Sequence, residues 1–187
     1  MRKLIYQVWI SLDGYAADAN HSTKFFEDPK YSEGSDQELL DHMDNIDTIL
    51  LGANTYKMFV EFWPKATTDT ELIADRLNST AKIVFSKSLK EAPWGKWPAA
   101  RIISNDALAA VKKLKSQGEK DMVLWGSLSL ARSLMKENLI DEYHVRIVPV
   151  VLGKGISLFE NAGETKLKLT DTIRYPPGIV LLKYKAG

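Results

Sequence analysis

The sequence predicts an α/β fold with a mainly parallel sheet, helices on both faces and antiparallel strands at one edge. Short apolar runs alternate with segments whose apolar residues recur at helical spacing, which indicates alternating strands and helices. From about residue 142 onward, strands follow one another, and Pro176-Pro-Gly178 provides a turn before the last of them. Alternation favours parallel pairing, whereas a terminal hairpin adds antiparallel strands at an edge.

Each predicted element has a local reason. Predicted strands are apolar runs bounded by turn residues, and they cover residues 4–11, 48–51, 82–85, 101–104, 122–125, 142–150, 166–174 and 179–184. Predicted helices lie between them, over residues 35–43, 55–62, 71–77, 106–117 and 128–134. Ser35 and Glu38 match a capping box at the first helix, and Asn105 or Asp106 can cap the fourth. The segment 94–98, with two tryptophans, is expected to be a surface loop.

Size and composition exclude several classes of protein. The 187 residues suit one domain, residues 1–187, with 45% apolar and 26% charged residues and a net charge of +1. Lys and Arg are scattered, so we expect no nucleic-acid binding. The chain has no cysteine, and its three histidines show no metal-ligand spacing, so no metal is expected. Polar residues interrupt the apolar N-terminus early, which predicts no signal peptide or membrane span and a cytoplasmic location.

Four loops leave predicted strand ends, and together they suggest a dinucleotide site. They span residues 13–17, 52–56, 86–88 and 126–129. In a parallel sheet the carboxyl ends of the strands share one rim, where ligands bind. Two of these loops open helices with small or hydroxyl residues, which suits a diphosphate at helix N-termini. Each loop alone has a purely structural explanation, because any parallel sheet needs Gly and Ser at its turns.

The chain resembles the dihydrofolate reductase-like superfamily from about residue 3 to residue 184. The similarity is greatest to the reductase domain of the bacterial bifunctional riboflavin deaminase–reductase and its stand-alone relatives. The matching stretches are Ser11-Leu-Asp-Gly-Tyr15, Leu51-Gly-Ala-Asn-Thr-Tyr56, Ile83-Val-Phe-Ser-Lys87, Trp125-Gly-Ser127, Leu139-Ile-Asp-Glu142 and Pro149-Val-Val-Leu-Gly-Lys-Gly155, followed by Leu158-Phe159. The resemblance implies a three-layer sandwich, NADPH as hydride donor and a homodimer. The Cys and His ligands of the zinc deaminase half are absent.

The resemblance also implies cofactor-binding positions. They are Gly52, Asn54 and Thr55 in the first glycine loop, Ser86 and Lys87 at the adenosine 2′-phosphate, Gly126, Ser127, Leu128 and Ser129 at the diphosphate and nicotinamide side, and Ala16 and Ala17 beside the carboxamide. Two departures stand out. Relatives commonly carry Arg where this chain has Ala53, which leaves the preference for NADPH over NADH open. They also carry Gly-Gly, often joined by a cis peptide, where this chain has Gly126-Ser127.

The substrate side needs an acid and a surface for a planar ring. Asp36 is the first candidate for the catalytic carboxylate, since it lies near the start of the first helix, where dihydrofolate reductases place theirs. An acid there can also simply stabilise the helix dipole. Asp13 is the alternative acid, although Asp-Gly is also ordinary turn chemistry. Trp9, Phe26 and Leu152 are candidates for a wall around the ring, and Arg146 and Lys154 for cations at its rim.

These observations favour an NADPH-dependent reductase of a small heterocyclic metabolite, of the 5-amino-6-(5-phosphoribosylamino)uracil reductase type. The cofactor would perform the chemistry, and the protein would align it and exclude water. Reduction of dihydrofolate or another pterin is the second possibility. A non-catalytic module that binds NADP(H) is the third. Fold-level resemblance identifies a cofactor far better than a substrate.

Overall fold

The computed structural model describes residues 1–32 and 34–187, and this part of the chain contains ten strands and five α-helices. The strands are β1 Leu4–Ser11, β2 Tyr15–Asp18, β3 Ile46–Gly52, β4 Ala81–Phe85, β5 Arg101–Ile103, β6 Asp121–Trp125, β7 Glu142–Val148, β8 Gly155–Ser157, β9 Leu167–Arg174 and β10 Val180–Ala186. The helices are α1 Asp36–Met43, α2 Ala53–Phe62, α3 Ala74–Ser79, α4 Ala107–Lys115 and α5 Leu128–Lys136. Short 3₁₀ turns occupy Lys24–Phe26, Pro29–Ser32 and Trp63–Lys65.

Eight strands form one sheet in the order β5-β4-β3-β6-β1-β7-β10-β9. Pairing is parallel from β5 through to β7, whereas β10 runs antiparallel to both β7 and β9. This arrangement confirms the predicted sheet with its antiparallel edge. β1 lies between β6 and β7, so the loops after β6 and β1 emerge side by side at the carboxyl rim of the sheet.

Helices cover both faces of the sheet, because side chains of each strand alternate between them. On one face Tyr6 and Val8 pack in a core that includes Val111 of α4 and Leu134 of α5. On the other face Ile5 belongs to a second core, which includes Met43 of α1, Tyr56 of α2 and Leu77 of α3. The three layers confirm the predicted architecture.

A small second sheet, formed by β2 and β8, was not predicted. The two strands pair antiparallel, with Ala17 opposite Ile156 and Asp18 opposite Gly155. A Cβ at Gly155 would lie 2.3 Å from the Ala17 carbonyl oxygen, so glycine is what allows the two backbones to approach this closely. β2 and β8 have four and three residues, and neither is an apolar run with a recognisable period, so no signal for them was visible in the sequence.

Three local predictions were wrong in detail. The capping box is not formed, because Ser35 makes no side-chain cap at α1 and Glu38 instead pairs with Arg146 and Lys183. The third helix begins at Ala74 and not at residue 71, since the Glu71 carbonyl accepts the Ala74 N–H in a preceding turn. β7 ends at Val148, where the Val150 N–H bonds the Val148 carbonyl across Pro149.

The segment 94–98 is not simply a surface loop, because Trp94 is among the largest fully buried side chains. Its indole Nε1 donates to Asn78 Oδ1 at 2.7 Å, and Lys82 Nζ lies 4.6 Å from its ring centroid. The same ammonium donates to the carbonyls of Leu77, Asn78 and Thr80 at the end of α3. Trp94 therefore ties the segment to the helical layer.

In the part of the chain that the model describes, every helix is too short or too polar to traverse a lipid bilayer.

Candidate active site

Two glycine loops meet at the carboxyl rim of neighbouring strands β3 and β6. A Cβ added at Gly52 would lie 2.0 Å from Ser127 Oγ, and one added at Gly126 would lie 2.9 Å from Thr55 Oγ1. The Ser127 N–H also donates to Thr55 Oγ1 at 3.0 Å. Each glycine therefore makes room for the hydroxyl residue of the other loop, and four of the predicted cofactor residues come together here.

The helices that follow these loops lack both a side-chain cap and an acid at the N-terminus. Neither α2 nor α5 has a side-chain cap, and neither has an acidic residue in its first turn. By contrast, α4 is capped by Asp106, whose Oδ1 accepts the N–H groups of Leu108 and Ala109. Uncapped N–H groups and the positive end of the helix dipole attract an anion, and here two such ends begin at touching loops. The arrangement fits a diphosphate.

The Gly126-Ser127 turn settles one open question of the sequence. No cis peptide bond occurs among the residues that the model describes, so this bond is trans. Both residues have positive φ, 58° for Gly126 and 53° for Ser127. Leu128 and Ser129 follow as the first turn of α5, and Ser129 is exposed.

The loop after β4 lies next along the same rim. The Ser86 N–H donates to the Ile103 carbonyl of β5, while Ser86 Oγ accepts the N–H groups of Ser88 and Leu89 at 3.3 and 3.1 Å. These bonds shape a tight turn that presents Lys87 to solvent. Asn54 is likewise exposed at the start of α2, next to a half-buried Ala53.

Ala16 and Ala17 are both 7% exposed in β2. β2 pairs with β8, and Arg132 of α5 donates to the carbonyls of Ser157 and Leu158 at β8. The helix that begins at the Gly126 loop therefore also anchors the small sheet that carries the two alanines. These contacts link the predicted carboxamide side to the predicted diphosphate side.

Asp13 is exposed and holds a neighbouring loop. Its carboxylate accepts hydrogen bonds from Ser11 Oγ at 2.7 Å, from the Leu152 N–H at 3.1 Å and from the Gly153 N–H at 2.7 Å. The hydrogen bond from Ser11, followed by those from the two backbone N–H groups, lowers the pKa of Asp13. Asp13 and Leu152, both predicted at the substrate side, are thus in direct contact.

Trp9 and Phe26 form a stacked pair, with ring centroids 5.7 Å apart and planes inclined by 22°. Arg146 lies opposite Trp9 on the neighbouring strand β7, and its guanidinium carbon is 5.5 Å from the centroid of the Trp9 ring. Arg146 is only 2% exposed, so the prediction that it lies at the rim of the site was wrong. Arg146 is covered because Trp9 packs over it and because its Nη2 donates a hydrogen bond to Glu38 Oε2 at 2.7 Å. Lys154, the other rim candidate, is exposed.

Asp36 is half-buried at the first position of α1. Burial raises the pKa of Asp36, and the nearby positive charge of Arg146 opposes that rise. Glu71 lies close enough that burial and the negative charge of Asp36 both raise its pKa. The carboxyl group of Asp36 is therefore partly shielded from water, and the charge of Arg146 acts on it. Such surroundings adjust the pKa of a carboxyl group, which suits a residue that holds or releases a proton.

Sequence reasoning missed the charged cluster beneath these residues. Glu38 accepts from Arg146 and, through Oε1, from Lys183 Nζ at 2.7 Å. Two buried polar atoms there have no hydrogen-bond partner among the described residues, Arg146 Nε and Tyr175 Oη. The available signal was a charge at an inward position of an apolar strand, as at Arg146 between Val145 and Ile147, since such a charge needs a buried partner.

The family comparison agrees with this geometry. The family model of the RibD C-terminal domain matches residues 2–181, so the chain belongs to that family. Uncharacterized protein YyaP of Bacillus subtilis (strain 168) is 32% identical over 187 residues, covering 98% of this chain and 94% of its own length. The membership confirms the resemblance to the riboflavin reductase domain.

Solved structures confirm the dihydrofolate reductase-like fold. A Shewanella sp. PV-4 protein assigned to riboflavin biosynthesis has a TM-score of 0.78 at 20% identity, with 99% of both chains covered. The deaminase/5-amino-6-(5-phosphoribosylamino)uracil reductase of Thermotoga maritima has a TM-score of 0.67 at 13% identity. The match covers 100% of this chain and 57% of that chain. Dihydrofolate reductase from Enterococcus faecalis, complexed with NADP(H), has a TM-score of 0.62 at 9% identity, with 99% of this chain and 96% of that chain covered.

Fold and family together support an oxidoreductase of the reductase-domain type.

Proposed function

We propose that this protein is an NADPH-dependent reductase of a small heterocyclic metabolite, most similar in activity to 5-amino-6-(5-phosphoribosylamino)uracil reductase. The observation that carries the proposal is the pair of touching loops at Gly52 and Gly126, each opening a helix that has neither a side-chain cap nor an acid in its first turn. The reductase named among the structural neighbours and the NADP(H) complex of the Enterococcus faecalis enzyme support the choice of substrate class and cofactor.

The residues present fit the cofactor. The N-termini of α2 and α5 would hold the diphosphate, Ser86 and Lys87 the 2′-phosphate, and Ala16 and Ala17 of β2 would line the carboxamide side. NADPH, when bound, supplies the hydride. The protein contributes binding, orientation and exclusion of water, which is what hydride transfer requires of side chains.

On the substrate side, Asp36 would hold the proton and the Trp9–Phe26 pair would form an aromatic wall for a planar ring. Asp13 would act through Leu152, by fixing the loop that borders this side.

Cofactor titration tests the first part. Tryptophan-excited energy transfer should show NADPH binding, and Lys87→Gln should weaken NADPH binding about tenfold, roughly 1.4 kcal/mol, without weakening NADH binding. Lys90→Gln, an exposed lysine three residues on, is the matched control. Absence of NADPH binding at millimolar concentration would remove the proposal.

Turnover measurements with 5-amino-6-(5-phosphoribosylamino)uracil as substrate test the proposed reductase activity and the role of Asp36. Asp36→Asn should lower turnover at least tenfold, about 1.4 kcal/mol in barrier, and leave NADPH affinity unchanged. Asp41→Asn on the exposed side of the same helix should leave turnover unchanged. Wild-type protein that binds NADPH but reduces neither this substrate nor dihydrofolate would instead be a binding module.

A further inference from the structure

Arg146 is a buried cation that two neighbours at the proposed substrate site hold in place. It packs over the Trp9 ring and pairs with Glu38, the residue two positions after Asp36 in α1. Its positive charge also acts on Asp36. Its side chain is only 2% exposed, so it is held in place by its surroundings and does not sample solvent. Burial of a guanidinium is costly unless its charge is used, which makes this position informative.

We propose that Arg146 is a positioning residue for the proposed site: anchored by Glu38, it sets the electrostatic field at Asp36 and supports the aromatic wall at Trp9. This inference rests on the proposed role of Asp36 and extends it to a residue that does not touch the reacting atoms.

The charge balance of the cluster supports the proposal. One Glu38 carboxylate bonds two cations, Arg146 through Oε2 and Lys183 through Oε1, both at 2.7 Å. Two positive charges and one negative charge leave a net charge of +1. Lys183 is also 3.9 Å from Asp171, but that carboxylate is half exposed and therefore well screened. The positive charge of Arg146 is thus only partly cancelled by its own ion pair and remains available to Asp36.

The charged groups near Asp36 come from two elements. Arg146 acts from β7, and Glu71 acts from the turn before α3. The negative charge of Glu71 disfavours a second negative charge at Asp36, and burial acts in the same direction. Arg146 is the cation that opposes them, so its loss should raise the pKa of Asp36.

The aromatic contact gives Arg146 a second role. Its guanidinium carbon lies 5.5 Å from the centroid of the Trp9 ring, and Trp9 stacks on Phe26. A planar guanidinium packs on an aromatic face in a way that an ammonium group does not. Replacement by Lys should therefore preserve much of the charge effect while loosening the wall.

The test is a carboxyl-carbon NMR titration of the cofactor-free protein, which does not depend on turnover or on NADPH. In Arg146→Met the pKa of Asp36 should rise by at least one unit, a tenfold change in its protonation ratio. Arg146→Lys should produce less than half that shift. The acid limb of the pH profile of turnover should move with the titration in the variants that remain active.

Arg2→Met is the matched control, because Arg2 is also a buried arginine paired with a carboxylate, Asp47, at the opposite rim of the sheet. It should leave Asp36 unchanged. If Arg146→Met fails to fold, Lys183→Met reduces the net charge of the cluster from +1 to zero and should raise the pKa of Asp36 by a smaller amount. An Asp36 titration unchanged in the folded variants overturns the proposal, whereas failure of NADPH to bind overturns the proposed function alone.

Discussion

His144 illustrates how strongly burial controls a single side chain in this molecule. It lies on β7, 3% exposed, with its ring centroid 4.8 Å from that of His42 on α1. Burial, followed by the neighbouring His42 and Lys183, lowers the pKa of His144 to about 3. Burial also lowers the pKa of His42. Both imidazoles are therefore neutral at physiological pH in the folded protein.

This depression makes stability depend on pH. Between pH 6.5 and about 3, the unfolded chain carries a proton on His144 that the folded protein does not, so stability falls as the pH is lowered through this window. We expect a loss of about 1 kcal/mol per pH unit just below pH 6.5. In His144→Gln, urea unfolding at pH 7.5 and 5.5 should show a smaller loss. The exposed His21→Asn variant is the control, and an equal slope in His144→Gln and wild type would contradict the assignment.

Gly52 is the residue on which contact between the two cofactor loops depends. In Gly52→Ala the new methyl group would meet Ser127 Oγ at 2.0 Å and Ser127 Cβ at 3.1 Å, so the Ser127 side chain must rotate and the contact between the loops must loosen. Overpacking of this kind costs about 1–3 kcal/mol, and we expect at least a tenfold loss of NADPH affinity. The double variant Gly52→Ala/Ser127→Gly restores the space and should recover part of the affinity. Equal NADPH binding by Gly52→Ala and wild type would show that the contact is unimportant for the cofactor.

At the scale of elements, the segment 149–159 is a strap held at three places. Asp13 accepts the Leu152 and Gly153 N–H groups, β8 pairs with β2, and Arg132 bonds the carbonyls of Ser157 and Leu158. Gly153 has a φ of 72°, which favours glycine at the bend. The Pro149–Gly155 run, which matches the family, thus forms a bend that Asp13 holds in place.

Removal of the Asp13 carboxylate should release the middle of this strap. Asp13→Ala should make the exposed Lys154 bond markedly more sensitive to trypsin under native conditions, at least fivefold, because two backbone N–H anchors are lost. Asp13→Asn, which keeps an acceptor oxygen, should show a smaller increase, and Asp69→Ala at an exposed turn should show none. Cleavage after Lys154 at the wild-type rate in Asp13→Ala would mean that the other two anchors suffice.

At the scale of the whole molecule, the order of strands in the sheet determines which loops and side chains lie next to one another. β3 and β6 carry the glycine loops at Gly52 and Gly126, β1 and β7 carry Trp9 and Arg146, and these four strands are consecutive in the sheet. The proposed cofactor side and the proposed substrate side are therefore supported by neighbouring strands of one sheet, which is the condition for holding two reactants in register.

We expect the protein to form a homodimer, as its resemblance to riboflavin reductase domains implies. Sedimentation equilibrium at micromolar concentration should give twice the mass of one chain. β9 is an edge strand whose Leu169 is half exposed, and edge strands pair readily with other chains. Leu169→Lys should weaken the dimer if β9 forms the interface, with Thr170→Lys as the neighbouring control. A monomer at the highest soluble concentration would contradict the expectation.

Local patterns were sufficient wherever a segment was long and strongly periodic. β1 was predicted with its observed bounds, and Asp106 was one of the two residues predicted to cap α4, because apolar spacing and capping chemistry act over a few residues. The same holds for the glycine loops at the ends of β3 and β6, since a break between an apolar run and a helical pattern is visible in sequence. The fold class, the order of the helices and of the strands of the main sheet, and the rim at which the loops meet could be predicted this way, whereas β2 and β8 could not.

Which distant residues become partners depends on how the chain packs in three dimensions. The sequence offered Glu38 as half of a capping box and Arg146 as a rim cation, yet the two pair with each other across 108 positions of chain. A buried charge loses its hydration and therefore needs a partner of opposite charge. Which charges become buried depends on contacts between segments that are far apart in the chain. Local sequence patterns therefore predicted the scaffold and the rim at which the glycine loops meet, whereas three-dimensional packing determined the charged cluster of Glu38, Arg146 and Lys183.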